Sequence, residues 1–260
     1  MKWFFAVSEM SIDHHDHDFR ALIRSAVNSA QRNTLLKPYM IYDGEEGAFT
    51  QEMRELGVNV IRHRLTFYDR VKAAQQAQRP DWTSYMFVAS GALLRLEIPL
   101  LETVDDFVLY TDCDVVFLKD PELDALRPSV FAVAPQRHQD SHEDMNSGVM
   151  VMNLPRLRAD LPRLVDFLCN SFAQINGFDQ EVYRIFYRSL WDRLSLDYNW
   201  KPYWGVAPDA KIIHFHGPKP PAIRKLIADP SYKAPHVWRE LFGTSPDAYR
   251  HYLEVWESYQ

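Results

Sequence analysis

Only two cysteines, Cys113 and Cys169, occur among the 260 residues, far apart and in apolar surroundings. A disulfide framework is therefore not expected, and two reduced thiols fit a cytoplasmic protein. Lys and Arg form no basic block, and the formal charge of −6 is mild and scattered. No nucleic-acid partner is expected on that pattern. No stretch approaches the roughly 20 apolar residues needed to cross a bilayer, so there is no transmembrane segment and any membrane contact would be peripheral. The apolar opening of "MKWFFAVSEM" is too short for the apolar region of a signal peptide and reads as a strand. The sequence also lacks internal repeats, low-complexity tracts and linkers, so a single domain over 1–260 is expected.

What is present is a large apolar fraction, 47% hydrophobic and 13% aromatic, enough for a substantial core. Strand-like and helix-like segments alternate: "WFFAVS" then "FRALIRSAVNSAQRN", "PYMIYDG" then "FTQEMRELGV", "NVIRHRL", then a mixed stretch leading to "FVASGALLRLEIPLLE". "FVLYTDCDVVF", "SVFAVAP" and "SGVMVMN" add strands, followed by a helix over 155–172 and another opening at Asp179, read as its N-cap. "AKIIHF" is the last strand. The Pro-rich "HGPKPPAI" is expected to be irregular, and "SPDAYRHYLEVWESY" to be a terminal helix capped by Ser245. Alternation of this kind predicts an α/β fold with a mostly parallel, Rossmann-like mixed sheet flanked by helices. In such sheets ligands collect at the carboxyl ends of strands. The front part, 1–120, is thus expected to bind a nucleotide.

Two stretches carry chemistry. In "LYTDCDVVF", 109–117, Asp112 and Asp114 flank Cys113 just past a strand, and residues two apart on extended backbone face the same way. Two anions side by side need a cation, unless the segment is merely a solvated turn. In "IIHFHGPKP", 212–220, His214 ends a strand, Gly217 permits a tight turn and Lys219 supplies a phosphate-sized cation. Two carboxylates and one imidazole make a mixed oxygen and nitrogen site suited to Mn²⁺ or Mg²⁺ bridging a diphosphate. Lys219 and Arg95 would meet the remaining charge, an arrangement that stabilises a nucleoside diphosphate as leaving group.

With "LYTDCDVVF", "NSGVMVMN", "FDQEVY" and "AKIIHFHGPKP" in this order, the chain resembles the family 8 retaining glycosyltransferases, the group of glycogenin and the lipooligosaccharide galactosyltransferases. The resemblance runs to about Pro220 and implies a GT-A fold, a nucleotide-sugar donor, usually a UDP-sugar, and Mn²⁺. It implies Asp112, Asp114 and His214 as metal ligands. Gly217 and Lys219 would touch the diphosphate, with Cys113 between the two acids beside it. Arg95 of "LLRLEI" would contact the donor, as would Val7 and Ser8 at the end of the first strand, with Ser8 and Glu9 at the position of the base. Asn146, Ser147, Asp179 and Gln180 would lie along the donor sugar, with Gln180 beneath the anomeric carbon and Asn146 and Asp179 beside the reacting centre. The acceptor would be a glycan, a lipid-linked sugar or a protein hydroxyl, bound by the rear half, 121–260.

The chain departs from the family pattern in having one residue, Pro218, between Gly217 and Lys219 where two are usual. It also has "AVSEMSIDHHDHD" where a small polar cluster ending in tyrosine is common. "DHHDHD", 13–18, offers a second, weaker metal reading, that of a hydrolase centre. Trp82, Trp200 and Trp204 could stack on acceptor sugars or simply pack. Two rival functions stand beside transfer: a nucleotide-sugar-binding protein without catalysis, and a metal-dependent phosphohydrolase.

Overall fold

A computed structural model describes residues 1–12, 18–141, 143–229 and 231–260; most of "DHHDHD" lies outside the described residues. Its last residue, Asp18, caps a helix by accepting from Ala21 N at 3.0 Å. In chain order the elements begin with β1 (Lys2–Ser8), α1 (Glu9–Ile12), α2 (Phe19–Asn33), β2 (Lys37–Asp43), α3 (Ala48–Glu55) and β3 (Asn59–Arg62). Next come α4 (Tyr68–Gln78), α5 (Tyr85–Leu93), α6 (Ile98–Leu101), β4 (Phe107–Thr111), β5 (Val115–Phe117), β6 (Phe131–Pro135) and β7 (Met145–Asn153). The chain continues through α7 (Leu154–Asn170), α8 (Asp179–Tyr187), β8 (Asp192–Arg193), β9 (Ile212–His214), α9 (Pro220–Ala228), α10 (His236–Thr244) and α11 (Pro246–Glu257).

Three sequence expectations need correction. "HGPKPPAI" is not irregular throughout, because α9 starts at Pro220 with its prolines in the first turn. There the missing N–H has no helical partner to lose and the fixed φ suits the helix. Asp179 is the first residue of α8 and not its cap; Phe178 holds the cap position. Ser245 does precede α11, yet its side chain makes no cap hydrogen bond.

By backbone contacts the chain forms two compact units that interleave in sequence. The first gathers Met1–Ser11, Lys37–Thr111 and Leu123–Leu194. It holds a seven-stranded sheet in the order β3-β2-β1-β4-β7-β6-β8. β7 runs antiparallel to both its neighbours and every other pair is parallel. The inner strands are apolar on both faces: Phe4, Val108, Tyr110, Phe131 and Met150 lie on one, packed with residues of α4, α5, α7 and α8, and Trp3, Leu109, Ala132 and Val151 of the other are buried as well.

The second unit gathers Ile12–Leu36, Asp112–Glu122 and Ser195–Gln260. Its β5 pairs antiparallel with β9, setting Val115 opposite His214. Leu22 of α2, Val116, Ile213, Ile223 of α9 and Tyr249 and Trp256 of α11 form its core. Ser29 of α2 accepts from Phe117 N at 3.0 Å, fixing β5 on that helix.

Phe131 is fully buried, with ring centroids of Tyr183 and Tyr187 at 5.2 and 5.4 Å. Phe131→Ala should lower stability by about 3–5 kcal/mol, read from the urea midpoint at unchanged slope.

Candidate active site

In the first unit the site begins where β7 leaves its ladder. Val133 pairs with Met150, but the next residue, Ala134, pairs with Asn146, while on the other side β4 reaches only to Val149. Ser147 and Gly148 thus have no ladder partner in either register. Backbone groups buried in this way need partners, and side chains provide them. Ser147 N donates to Gln180 Oε1 at 3.0 Å, Gly148 N to Asn146 Oδ1 at 3.3 Å, and Ser147 O accepts from Arg95 Nη1 at 2.8 Å.

Arg95 is itself buried. Its Nη1 lies 3.0 Å from Asp179 Oδ2, with both side chains 6% exposed, and its guanidinium lies over the Tyr110 ring at 4.3 Å. Ser147 Oγ donates to the same Asp179 oxygen at 2.9 Å. Four of the expected donor residues, Arg95, Ser147, Asp179 and Gln180, are therefore one hydrogen-bonded group, with Asn146 Nδ2 donating to Gln180 Oε1 at 3.3 Å. Gln136, which nothing in the sequence marks, joins it by accepting from Gln180 Nε2 at 2.5 Å. Val7 and Ser8 are buried at the end of β1, where Ser8 Oγ shares a hydrogen bond with Ser11 Oγ at 2.9 Å.

In the second unit Asp112, Asp114 and His214 offer ligand atoms that all lie within 4.8 Å of one another. His214 Nε2 is 3.8 Å from Asp112 Oδ2 and 3.5 Å from Asp114 Oδ1. Asn199, completely buried, places its Oδ1 3.0 Å from His214 Nδ1. An amide oxygen only accepts, so Nδ1 carries the hydrogen and Nε2, facing both acids, is the nitrogen open to a cation. Asn199 was not foreseen either; an asparagine ahead of a strand carries no signal of its own. Cys113, between the acids, is buried and in no disulfide.

Burial pushes the Asp114 carboxyl up, but Lys219 and His214 outweigh it and hold the carboxyl well below the usual carboxylate range. Lys219 Nζ donates to Asp114 Oδ2 and to Phe215 O, the latter at 3.1 Å. Gly217 allows this return of the chain: its φ is +96°, and a Cβ there would stand 2.6 Å from Leu241 Cδ1. Burial, then the charges of His214, Lys219 and Lys201, hold the His216 imidazole well below its ordinary value. The donor set fits a hard divalent ion: two carboxylate oxygens and one oriented imidazole nitrogen.

The tryptophans pack within the protein. Trp82 lies 4.6 Å from Tyr85 between ring centroids, and Trp200 lies 5.4 Å from Trp204 while its Nε1 donates to Gly205 O at 2.8 Å.

The mostly parallel mixed sheet with flanking helices is the GT-A type of fold, as expected, and solved glycosyltransferases share it. The chain is similar to the apo form of the glycosyltransferase GlyE of Streptococcus pneumoniae TIGR4, with a TM-score of 0.63 at 16% identity over 99% of this chain. It spans only 63% of that protein. It is also similar to the galactosyltransferase LgtC, solved with donor and acceptor sugar analogues (TM-score 0.60, 17% identity, 93% of this chain and all of that one). Mouse xyloside xylosyltransferase 1 aligns over 83% of this chain and 97% of its own length, with a TM-score of 0.57 and 17% identity. No protein-family model and no curated protein matches the sequence.

Arg95→Met would leave the Asp179 carboxylate buried without its cation, a loss of about 3–5 kcal/mol. Denaturant titration should show that loss, with much of it recovered in the Arg95→Met, Asp179→Leu double variant.

Proposed function

We propose that this protein is a metal-dependent, anomer-retaining glycosyltransferase that moves a hexose from a nucleotide sugar, a UDP-sugar in the first instance, to an acceptor hydroxyl. The observation that carries the reading is the meeting of Asp112, Asp114 and His214 within a glycosyltransferase fold, with Asn199 orienting the imidazole. These three residues would hold Mn²⁺ or Mg²⁺. Bound there, the ion supplies the Lewis acidity that stabilises a departing nucleoside diphosphate. Lys219 and Gly217 of the same turn would bind the diphosphate, Lys219 by exchanging its bond to Asp114 for phosphate oxygen.

Arg95, Asn146, Ser147, Asp179 and Gln180 would bind the donor sugar, with Val7 and Ser8 near the base. Asp179 is poorly suited to be a covalent nucleophile, because Arg95 and Ser147 both engage its Oδ2. A front-face reaction, in which a donor phosphate oxygen takes the acceptor proton, needs no such nucleophile and keeps the anomeric configuration. The acceptor would be a glycan, a lipid-linked sugar or a protein. Among the described residues no helix is long and apolar enough to cross a membrane.

Calorimetric titration of UDP and GDP with Mn²⁺ or with chelator, on the wild type, Asp112→Asn and Asp114→Asn, tests the reading. UDP should bind only with Mn²⁺ and should lose at least about tenfold in affinity in either variant. Binding indifferent to both chelator and substitution would overturn the metal assignment. Turnover of UDP-sugars should release intact UDP; release of inorganic phosphate would instead indicate a hydrolase.

A further inference from the structure

The side-chain amide of Gln180 has a polarity that its neighbours determine. Ser147 N–H is a backbone donor and can face only an oxygen, so the Gln180 atom 3.0 Å from it is Oε1. Gly148 N–H sets Asn146 in the same manner: it meets Oδ1 at 3.3 Å, which turns Asn146 Nδ2 onto Gln180 Oε1, also at 3.3 Å. Two donors on one carbonyl oxygen occupy its two lone pairs. The Ser147 hydroxyl, the other polar group nearby, donates to Asp179.

That leaves Gln180 Nε2, whose partner among the described residues is Gln136 Oε1 at 2.5 Å. Gln136 follows directly after β6, and its backbone N donates to Asp144 O at 2.5 Å, so the sheet pairing continues to its Cα and holds it in place. One hydrogen of Nε2 is thereby used and the other remains for a ligand.

Building on the transferase reading above, we propose that Gln136 is a positioning residue: Ser147 N–H sets the polarity of the Gln180 amide, and Gln136, by accepting one Nε2 hydrogen, holds that amide so that the other N–H, and not the carbonyl oxygen, meets the donor sugar. Gln180 then acts as a hydrogen-bond donor to a sugar oxygen and is excluded as the nucleophile of a double displacement.

Three substitutions separate this role from simple packing. Gln136→Glu keeps an acceptor, Gln136→Met removes it, and Gln136→Lys replaces it by a donor. Thermal unfolding shows that each variant folds, and kcat and KM for a UDP-sugar are then measured with and without acceptor. The Glu variant should stay within about threefold of wild-type kcat, while the Met and Lys variants should lose about tenfold or more with little change in donor KM. Nuclear magnetic resonance of labelled glutamine amides should show one Gln180 amide hydrogen protected from exchange in the wild type and Glu variant, and neither protected in the Met variant.

Wild-type kcat in Gln136→Met, or an equal loss in Gln136→Glu, would overturn the positioning role while leaving the transferase reading intact. A wild type inert toward every UDP-sugar, with Gln180 still protected, would overturn that reading and the role together.

Discussion

The buried ion pair of Arg95 and Asp179 is the constraint on which the first unit's site depends. Two charges 3.0 Å apart and almost wholly out of water are tolerable only if their remaining hydrogen-bonding capacity is met. Ser147 does this from the middle, giving its hydroxyl to Asp179 and its carbonyl to Arg95. Its position is possible because β7 leaves the ladder at Ser147 and Gly148. A regular strand there would use that carbonyl and N–H in the sheet and strand the charges. The ion pair and the irregular strand therefore support each other, and Ser147 N, released by the same irregularity, sets the polarity of the Gln180 amide.

The second unit poses the opposite electrostatic problem. Asp112 and Asp114 bring two carboxylates to the face of His214 Nε2, while Nδ1 is engaged by Asn199. The two acids repel each other, and Lys219 supplies a cation at Asp114. The chain itself thus neutralises part of this charge, where carboxylates alone would repel each other. Gly217, with its positive φ, is what returns the chain far enough for that lysine to arrive.

Periodicity made the strands legible because a sheet covered on both faces demands continuous apolar runs, and "FVLYT", "FAVAP" and "GVMVM" are such runs. The acids of "TDCD" and the histidine of "IIHF" were legible because their residue types have few other uses in such places. α4, Tyr68–Gln78, was not, since its apolar stripe is narrow: Val71 and Ala74 are its buried apolar residues. α9 was hidden by its prolines, which break a helix interior but begin a helix well. Asn199 and Gln136 were unreadable for a different reason. They act on a residue distant in sequence, His214 in one case and Gln180 in the other, and an amide looks the same whether it orients a partner or faces water.

The polar side chains of both groups gather where regular backbone stops. Asp112 and Asp114 fall between the end of β4 and the start of β5, Ser147 and Gly148 in the gap in the β7 ladder, Gln136 just beyond β6, and Lys219 beyond the positive-φ turn after β9. At Ser147 and Gly148 the backbone has N–H and C=O groups that no ladder satisfies, and the side chains of Gln180, Asn146 and Arg95 that satisfy them become fixed in direction, as Lys219 does on the carbonyl of Phe215. A side chain fixed by backbone groups needs no reorganisation when a charged ligand arrives, which is the condition for strong electrostatic stabilisation of a reacting group. The interruptions of the sheet thus do for the site what a rigid strand alone could not: they expose hydrogen-bonding groups and then use them to hold the functional side chains still.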